Sequence, residues 1–511
     1  MSAPERFLPI SNGASAPWAE VPEWPVAGLA AVTAAELDKG GRLAAWFGVP
    51  EGAGARGENA GVSAGARGMS EGVRLVAVVA FDADNTLAVG RSAPARGGYP
   101  SLTLRHPQAH LFEREVWEEH GLVPEGHPWL RPVRKGGGAA PAAGEFFRVE
   151  GGEIHEVAVG PVHAGVIEPG HFRFQCAGEE VVHLEIALGY QHRGVEAAVA
   201  RGPHRATLAQ METVAGDSTV AHATAYVSVL EALAGAEAPL RAQWLRAVGL
   251  ELERLANHSG DLGALANDVA FQPTAAACGR IRGDFLNLTA LACGSRFGRG
   301  WVVPGGCRRD LEPERAARLA EGLSTAMADV ERAALWLWNA PSVRARFEGT
   351  GALSAAEAGE IGLVGPAARA SGLVRDVRFD HPAGWHRFAQ IPVVVWPEGD
   401  VLSRARVRWL EVLRSGAFLA EQLAAPPEGP IHAPLGPLAP GALAVSLVEG
   451  WRGEVCHAAL TGRDGRLRRY KIVDPSFHNW TGLALALRGQ AISDFPLCNK
   501  SFNLSYCGFD L

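Results

Sequence analysis

LRAQWLRAVGLELERLANHSGDLGALAND, residues Leu240 to Asp268, decides how most of this chain is read. Its apolar residues recur at helical spacing from end to end and no proline interrupts them, which predicts one long amphipathic helix. The pattern continues in LEPERAARLAEGLSTAMADVERAALWLWNA (311–340) and GDVLSRARVRWLEVLRSGAFLAEQL (399–423), so the middle of the chain is predicted to be mainly helical. Ahead of it, HFRFQCAGEEVVHLEIAL (171–188) alternates like a hairpin with its turn near Gly178. After it, GALAVSLVEGWRGEVCHAAL and RLRRYKIVD return to strands, followed by a Pro/Asn/Ser-rich tail ending at Leu511.

The first part of the chain reads differently. TAAELDKGGRLAAWFG (33–48) predicts a helix, and VRLVAVVAFDADNTLAVG (73–90) predicts two strands joined by an Asp/Asn turn. YPSLTLRHPQAHLFEREVWEEHG (99–121) passes from a strand into a short helix carrying Glu113, Arg114 and Glu115. A Gly/Ala-rich insertion at 51–72 has little to bury. RKGGGAAPAAGEFF reads as a linker. The expected fold class is therefore α+β: a small α+β domain over 1–134, a linker over 135–147, and a mainly helical domain with peripheral hairpins over 148–511.

Bulk properties narrow the function classes. A chain of 511 residues is too long for one core. A net charge of −7 argues against nucleic acid, because phosphate binding needs clustered Lys and Arg. The short basic run RLRRYK reads as a solvated strand face. Seven scattered cysteines, with no C-x-x-C pair, fit a reducing compartment better than a disulfide framework. No window is long and apolar enough for a transmembrane helix, and MSAPERFLPISNG lacks the order of a signal peptide. Any membrane association is expected through partners.

METVAGDSTVAHATAY (211–226) follows GYQHRGVE and has the spacing of a helix lining a reaction centre, yet it offers Ala215, Gly216, Asp217 and Ser218 where soft metal ligands would stand. The HPQAHLFEREVWEEHGLVPEGHP stretch resembles the small hydrophilic C subunit of respiratory complex I (NADH-quinone oxidoreductase). EPGHFRF, GYQHRGVE, LELERLANH, RFGRGWVVPGG, VGPAARASG with RDVRFDHP, GDVLSRARVRW, VEGWRGEV and DPSFHNW together resemble the D subunit of complex I and the large subunit of NiFe hydrogenases. Fused in this order, the two pieces resemble the formate-hydrogenlyase type of hydrogenase large subunit.

The resemblance implies a binuclear metal centre held by two C-x-x-C pairs, whose soft thiolates suit nickel and iron. Carried over by VAH (Val220 to His222), the first pair falls on Ala215 and Ser218; the second falls on Ser505 and Gly508. None is cysteine, and Cys507 alone cannot replace four thiolates. The expectation is a housing without nickel. Because the chain ends soon after Gly508, no C-terminal peptide is expected for a maturation protease to remove.

In complex I the equivalent cavity receives a quinone headgroup between a histidine and a tyrosine. Here His171 keeps the histidine position and Gly216 occupies the tyrosine position. The resemblance therefore implies a quinone-like cavity with His171, Asp217, Ser218 and Ser505 as polar contacts. It also implies Glu196 as a proton relay, against a plain capping or ion-pair role. Arg296 and Arg299 are expected in structural pairings. Arg369, Asp376 and Arg378 are expected in a buried polar network. Asp217, His222 and Cys507 lack the spacing of a metal trio.

The chain carries neither an iron–sulfur ligand pattern nor a dinucleotide fingerprint, so electrons, NADH- or ferredoxin-derived, are expected from other polypeptides. The implied partners are a B-like iron–sulfur small subunit, antiporter-like membrane subunits and a ferredoxin-like electron-transfer subunit. The implied place is the cytoplasmic face of the inner (plasma) membrane, where the chain would act peripherally to couple electron transfer to ion translocation. The alternative is a non-catalytic scaffold of an antiporter-like complex.

Overall fold

The Leu240–Asp268 helix forms with the bounds its periodicity gives, but it is not amphipathic in place. Every residue from Ala242 to Ser259 is buried, including Arg246, Glu251, Glu253, Arg254, Asn257 and His258. A helix wrapped on all sides must satisfy its polar stripe internally, and this one does so through the networks described below. Gln272–Cys293, Pro313–Asn339 and Val401–Ala424 pack around it.

The computed structural model describes residues 6–51, 72–134, 146–163 and 167–511. Most of the Gly/Ala-rich insertion and of the expected linker lies outside the described residues. In the N-terminal part, Leu8–Ile10, Thr86–Ser92, Val73–Phe81 and Arg42–Pro50 form an antiparallel sheet in that order, and Glu23–Trp24 pairs parallel to Thr86–Ser92. The predicted Asp/Asn turn is present, with Asn85 at φ 52°. The predicted 33–48 helix is corrected: Val26–Asp38 is helical, Gly40 takes φ +93°, and Arg42–Pro50 is a buried strand. Two consecutive glycines end the helix there, because the first adopts a backbone closed to most side chains.

The strand Ala14–Pro17 leaves this sheet and joins another, beside Ala442–Gly450, Gly453–Thr461 and Leu467–Val473. The first residues of the chain are thus woven into the sheet built from its last quarter. The hairpin His171–Ala177 and Glu180–Ala187 turns at Gly178 as expected, and Ile154–Val159 adds a third strand. The terminal stretch, expected as a tail, folds into Pro475–Ala486, Phe495–Phe502 and Tyr506–Phe509. Asp474 and Ser505 supply the N-caps that composition alone did not reveal.

The basic run is also corrected. Lys471 is buried, 2.7 Å from Glu115 and 3.0 Å from Glu196, and Arg469 reaches Glu119 at 3.0 Å. Arg42 joins the same seam, bonding Glu454 at 2.6 Å and Asp82 at 3.0 Å. Charges read as solvated instead fasten the N-terminal part to the large one.

The network expected around Arg369 is present and larger than its sequence neighbours suggested. Arg369 meets Glu411 at 2.7 Å and Glu449 at 2.9 Å; Arg378 meets Asp376 at 2.6 Å and Glu251 at 3.1 Å. His258 and Arg254 close on Glu411 from the central helix. The expected pairing of Arg296 and Arg299 is not seen: both are exposed and enter no salt bridge among the described residues.

Candidate functional site

The two stretches carrying the four ligand positions are brought together. Ser218 holds the N-cap position of the Thr219–Leu233 helix without a side-chain capping hydrogen bond, and Ala215 lies in the turn before it, both buried. Ser505 caps Tyr506–Phe509, its hydroxyl accepting the Gly508 N–H at 2.9 Å, and its own N–H donates to the Ser476 hydroxyl at 2.8 Å.

Two polar bridges link these stretches. Arg452, from the VEGWRGEV turn, donates to Asp217 at 2.8 Å, approaches the Ser218 hydroxyl at 3.4 Å, and donates to the Asn503 carbonyl at 2.6 Å. The second is a buried row. Asp474 meets His222 at 3.0 Å, His222 meets His457 at 3.1 Å, and His457 meets the Tyr470 hydroxyl at 2.8 Å. Burial raises the Asp474 carboxyl, but the His222 hydrogen bond and the charges of His222 and Arg452 outweigh it and hold it below its ordinary value. Burial, helped by His222, holds His457 well below the usual imidazole range, so that ring is neutral.

This geometry does not fit a binuclear nickel–iron group. A Cβ built at Gly508 would lie 2.7 Å from the Asp474 carboxyl carbon, so a thiolate there would displace the capping aspartate of the Pro475–Ala486 helix. The donor set is a methyl, two hydroxyls and a hydrogen, none of them a soft anionic ligand. Cys507 lies 3.3 Å from the Ser505 hydroxyl, and burial beside Glu168 pushes its thiol up to about 11, which keeps it protonated. His222 is committed to Asp474 and Asp217 to Arg452, so neither is free to join it.

His171 opens the first hairpin strand, and its Nδ1 lies 3.2 Å from the Gly160 carbonyl. Its Nε2 is buried and has no partner among the described residues. Tyr506 stands beside this turn: a Cβ on Gly170 would meet its ring at 2.5 Å, so only glycine admits the phenol there. Glu196 lies in the first turn of Val195–Val199, where it accepts the Ile472 N–H at 2.9 Å and pairs with Lys471 and Arg469.

Sequence reading missed Arg452, His457, Tyr470, Asp474 and Tyr506 as site residues. Arg452 and Asp474 sit inside WRGE and DPSF, two motifs that carry the resemblance, so assigning roles within those motifs would have found them. His457 lies in a buried apolar strand, and Tyr470 lies inside the basic run read as a solvated face, so neither stood out.

Glu253 completes the site from the central helix, accepting the Val220 N–H at 2.7 Å at the start of Thr219–Leu233. Burial, reinforced by Asp217, pushes its carboxyl up to about 8 against those backbone hydrogen bonds and Arg254. The folded protein therefore holds a proton that the unfolded chain releases near the ordinary glutamate value. Stability falls as pH rises from there to about 8 and is level beyond it. Glu253→Gln keeps an acceptor for Val220 and is expected to flatten that slope, an effect on the order of a few kcal/mol at about 1.4 kcal/mol per pKa unit. Urea unfolding of both proteins at pH 5 and pH 8 checks this, and equal slopes would refute it.

The comparisons with known proteins agree with this architecture. Residues 64–135 match the family model described as the respiratory-chain NADH dehydrogenase 30 Kd subunit, and residues 268–442 match that of the 49 Kd subunit. Formate hydrogenlyase subunit 5 of Escherichia coli is 32% identical over 435 residues, covering 80% of this chain and 76% of its own. Hydrogenase-4 component G of the same organism is 31% identical over 80% of this chain and 75% of its own. The D subunit of NADH-quinone oxidoreductase from Clostridium beijerinckii is 29% identical over 66% of this chain and 91% of its own. The chain belongs to the family of these complex I-like and formate-hydrogenlyase-type large subunits. Among the described residues, no helix is long and apolar enough to cross a membrane.

Proposed function

We propose that this chain is the large hydrophilic subunit of an energy-converting, complex I-like oxidoreductase, coupling electron transfer to ion translocation without a nickel–iron centre. The observation that supports the reading is the internal pairing around the four ligand positions: Arg452 joins Asp217 to the Asn503 carbonyl, and His222 pairs with Asp474. Electrons arrive from a B-like iron–sulfur small subunit and a ferredoxin-like partner. Antiporter-like subunits hold the chain at the cytoplasmic face of the membrane.

The acceptor in this reading is quinone-like and approaches His171, whose buried Nε2 needs a partner. Asp217, Ser218 and Ser505 remain its proposed polar surroundings. Tyr506, beside the same turn, takes the place of the phenol that Gly216 cannot supply, and Glu196 is the proposed route for protons away from the cavity. Purifying the native complex and identifying its subunits and bound quinone tests this. In that complex, His171→Ala is expected to lower quinone-dependent turnover by at least about 10²-fold, the lower range for a proton-transferring group. Unchanged turnover would remove the quinone role.

A scaffold is the second reading, favoured by the same internal pairing: Arg452 and Asp474 already have partners and need no ligand. Neighbouring genes separate the two. A B-like protein with cluster cysteines accompanies redox work, and antiporter-like neighbours without one accompany a scaffold.

A further inference from the structure

A groove of about 1100 Å³ lies away from the four ligand positions. Arg201, Arg205, Arg308 and Arg466 line it, all exposed, and none forms a salt bridge among the described residues. No acidic side chain lines it, although the chain as a whole carries a net charge of −7. Its floor is apolar, built from Leu208, Leu230, Leu435 and Leu438. One wall is the proline-rich stretch around 431–438, which has no helix and is fixed to the Gly306–Cys307 strand by the Cys307 N–H to Ile431 carbonyl bond at 2.8 Å and the Ala433 N–H to Gly305 carbonyl bond at 2.9 Å.

Four exposed guanidiniums without a salt bridge around an apolar floor give the groove a positive field, which Glu212 near Arg308 offsets only in part. The arrangement makes physical sense when an anion with apolar side groups completes it. The volume exceeds the range of about 300–1,000 Å³ usual for small-molecule pockets. An extended segment of chain fills such a groove, its carboxylates meeting the arginines in forked hydrogen bonds and its apolar residues covering the leucines. The named relatives are subunits of larger assemblies, so a second polypeptide is available to supply it.

We propose that this groove is the docking site for an acidic, leucine-rich segment of a partner subunit. The site goes beyond the redox reading and does not depend on it, since neither quinone nor the vacant metal positions enter the argument. Tyr226 lies in the groove wall with its ring 6.1 Å from Tyr470, the end of the buried row from Asp474, so an occupied groove abuts that row.

The test is site-specific photocrosslinking in the native complex, with a benzophenone amino acid replacing Leu435. The expected result is a crosslink to one acidic partner segment, reduced at least about tenfold by the paired changes Arg205→Glu and Arg466→Glu. Arg463→Glu, an exposed change outside the lining, leaves it intact. A crosslink to phospholipid, to a neutral or basic segment, or to nothing overturns the proposal. So does an acidic crosslink that persists unchanged in the paired variant. None of these outcomes bears on metal content or quinone turnover.

Discussion

Replacing Arg369 with methionine is expected to destabilise the folded chain by about 3–5 kcal/mol, the range for removing one partner of a buried ion pair. Arg369 is fully buried and donates to Glu411, Glu449 and the Arg375 carbonyl. Without it, Glu411 keeps His258 at 2.8 Å and Arg254 at 3.5 Å, while Glu449 keeps the Val377 N–H at 3.1 Å. Glu449 then loses its strongest cationic partner and is driven to take up a proton. Burial already pushes its carboxyl up to about 7 against the opposing pull of Arg369. Adding Glu449→Gln to the variant is therefore expected to restore part of the loss. Urea unfolding of the single and double variants measures this; a loss below about 1 kcal/mol for Arg369→Met would show that the network is not what holds these elements together.

Replacing Arg452 with methionine tests the pairing around the ligand positions. The guanidinium is buried, pairs with Asp217, bonds the Asn503 carbonyl and lies 4.0 Å from the centre of the Trp451 ring. Its loss strands Asp217 and opens space between the two ligand stretches. Asp217 is about a third exposed and recovers some hydration, so the expected cost is the lower end of the range, about 3 kcal/mol. A second change, Asp217→Leu, removes the stranded charge and is expected to recover part of that cost, because apolar replacement of a buried pair is often neutral. If Arg452→Met unfolds at the same urea concentration as the parent, the pair does not support the site.

How much was legible follows from the kind of signal each element carried. The 171–188 hairpin and the turn at Asn85 were readable because local chemistry, a glycine or an asparagine at positive φ between alternating residues, specifies them. The long helices were readable from periodicity. That Leu240–Asp268 is buried on every side was not, because nothing in its own sequence shows that Arg246, Glu251 and Arg254 meet Glu231, Arg378 and the Glu449 carbonyl. The helix expected at 33–48 failed where propensity met two glycines, and the expected solvated face of RLRRYK failed because its acidic partners lie hundreds of residues away. At the site, the missing thiolates were visible as letters. What replaced them was not: Asp474 against Gly508 and Arg452 against Asp217 join positions that only the folded chain brings together.

The central claim is that the housing has been rebuilt without its metal. Elemental analysis of the native complex, purified with all its subunits, tests this most directly. The account predicts nickel well below one atom per chain, with the iron present accounted for by clusters in partner subunits. Nickel at one atom per chain, retained through gel filtration, would contradict it.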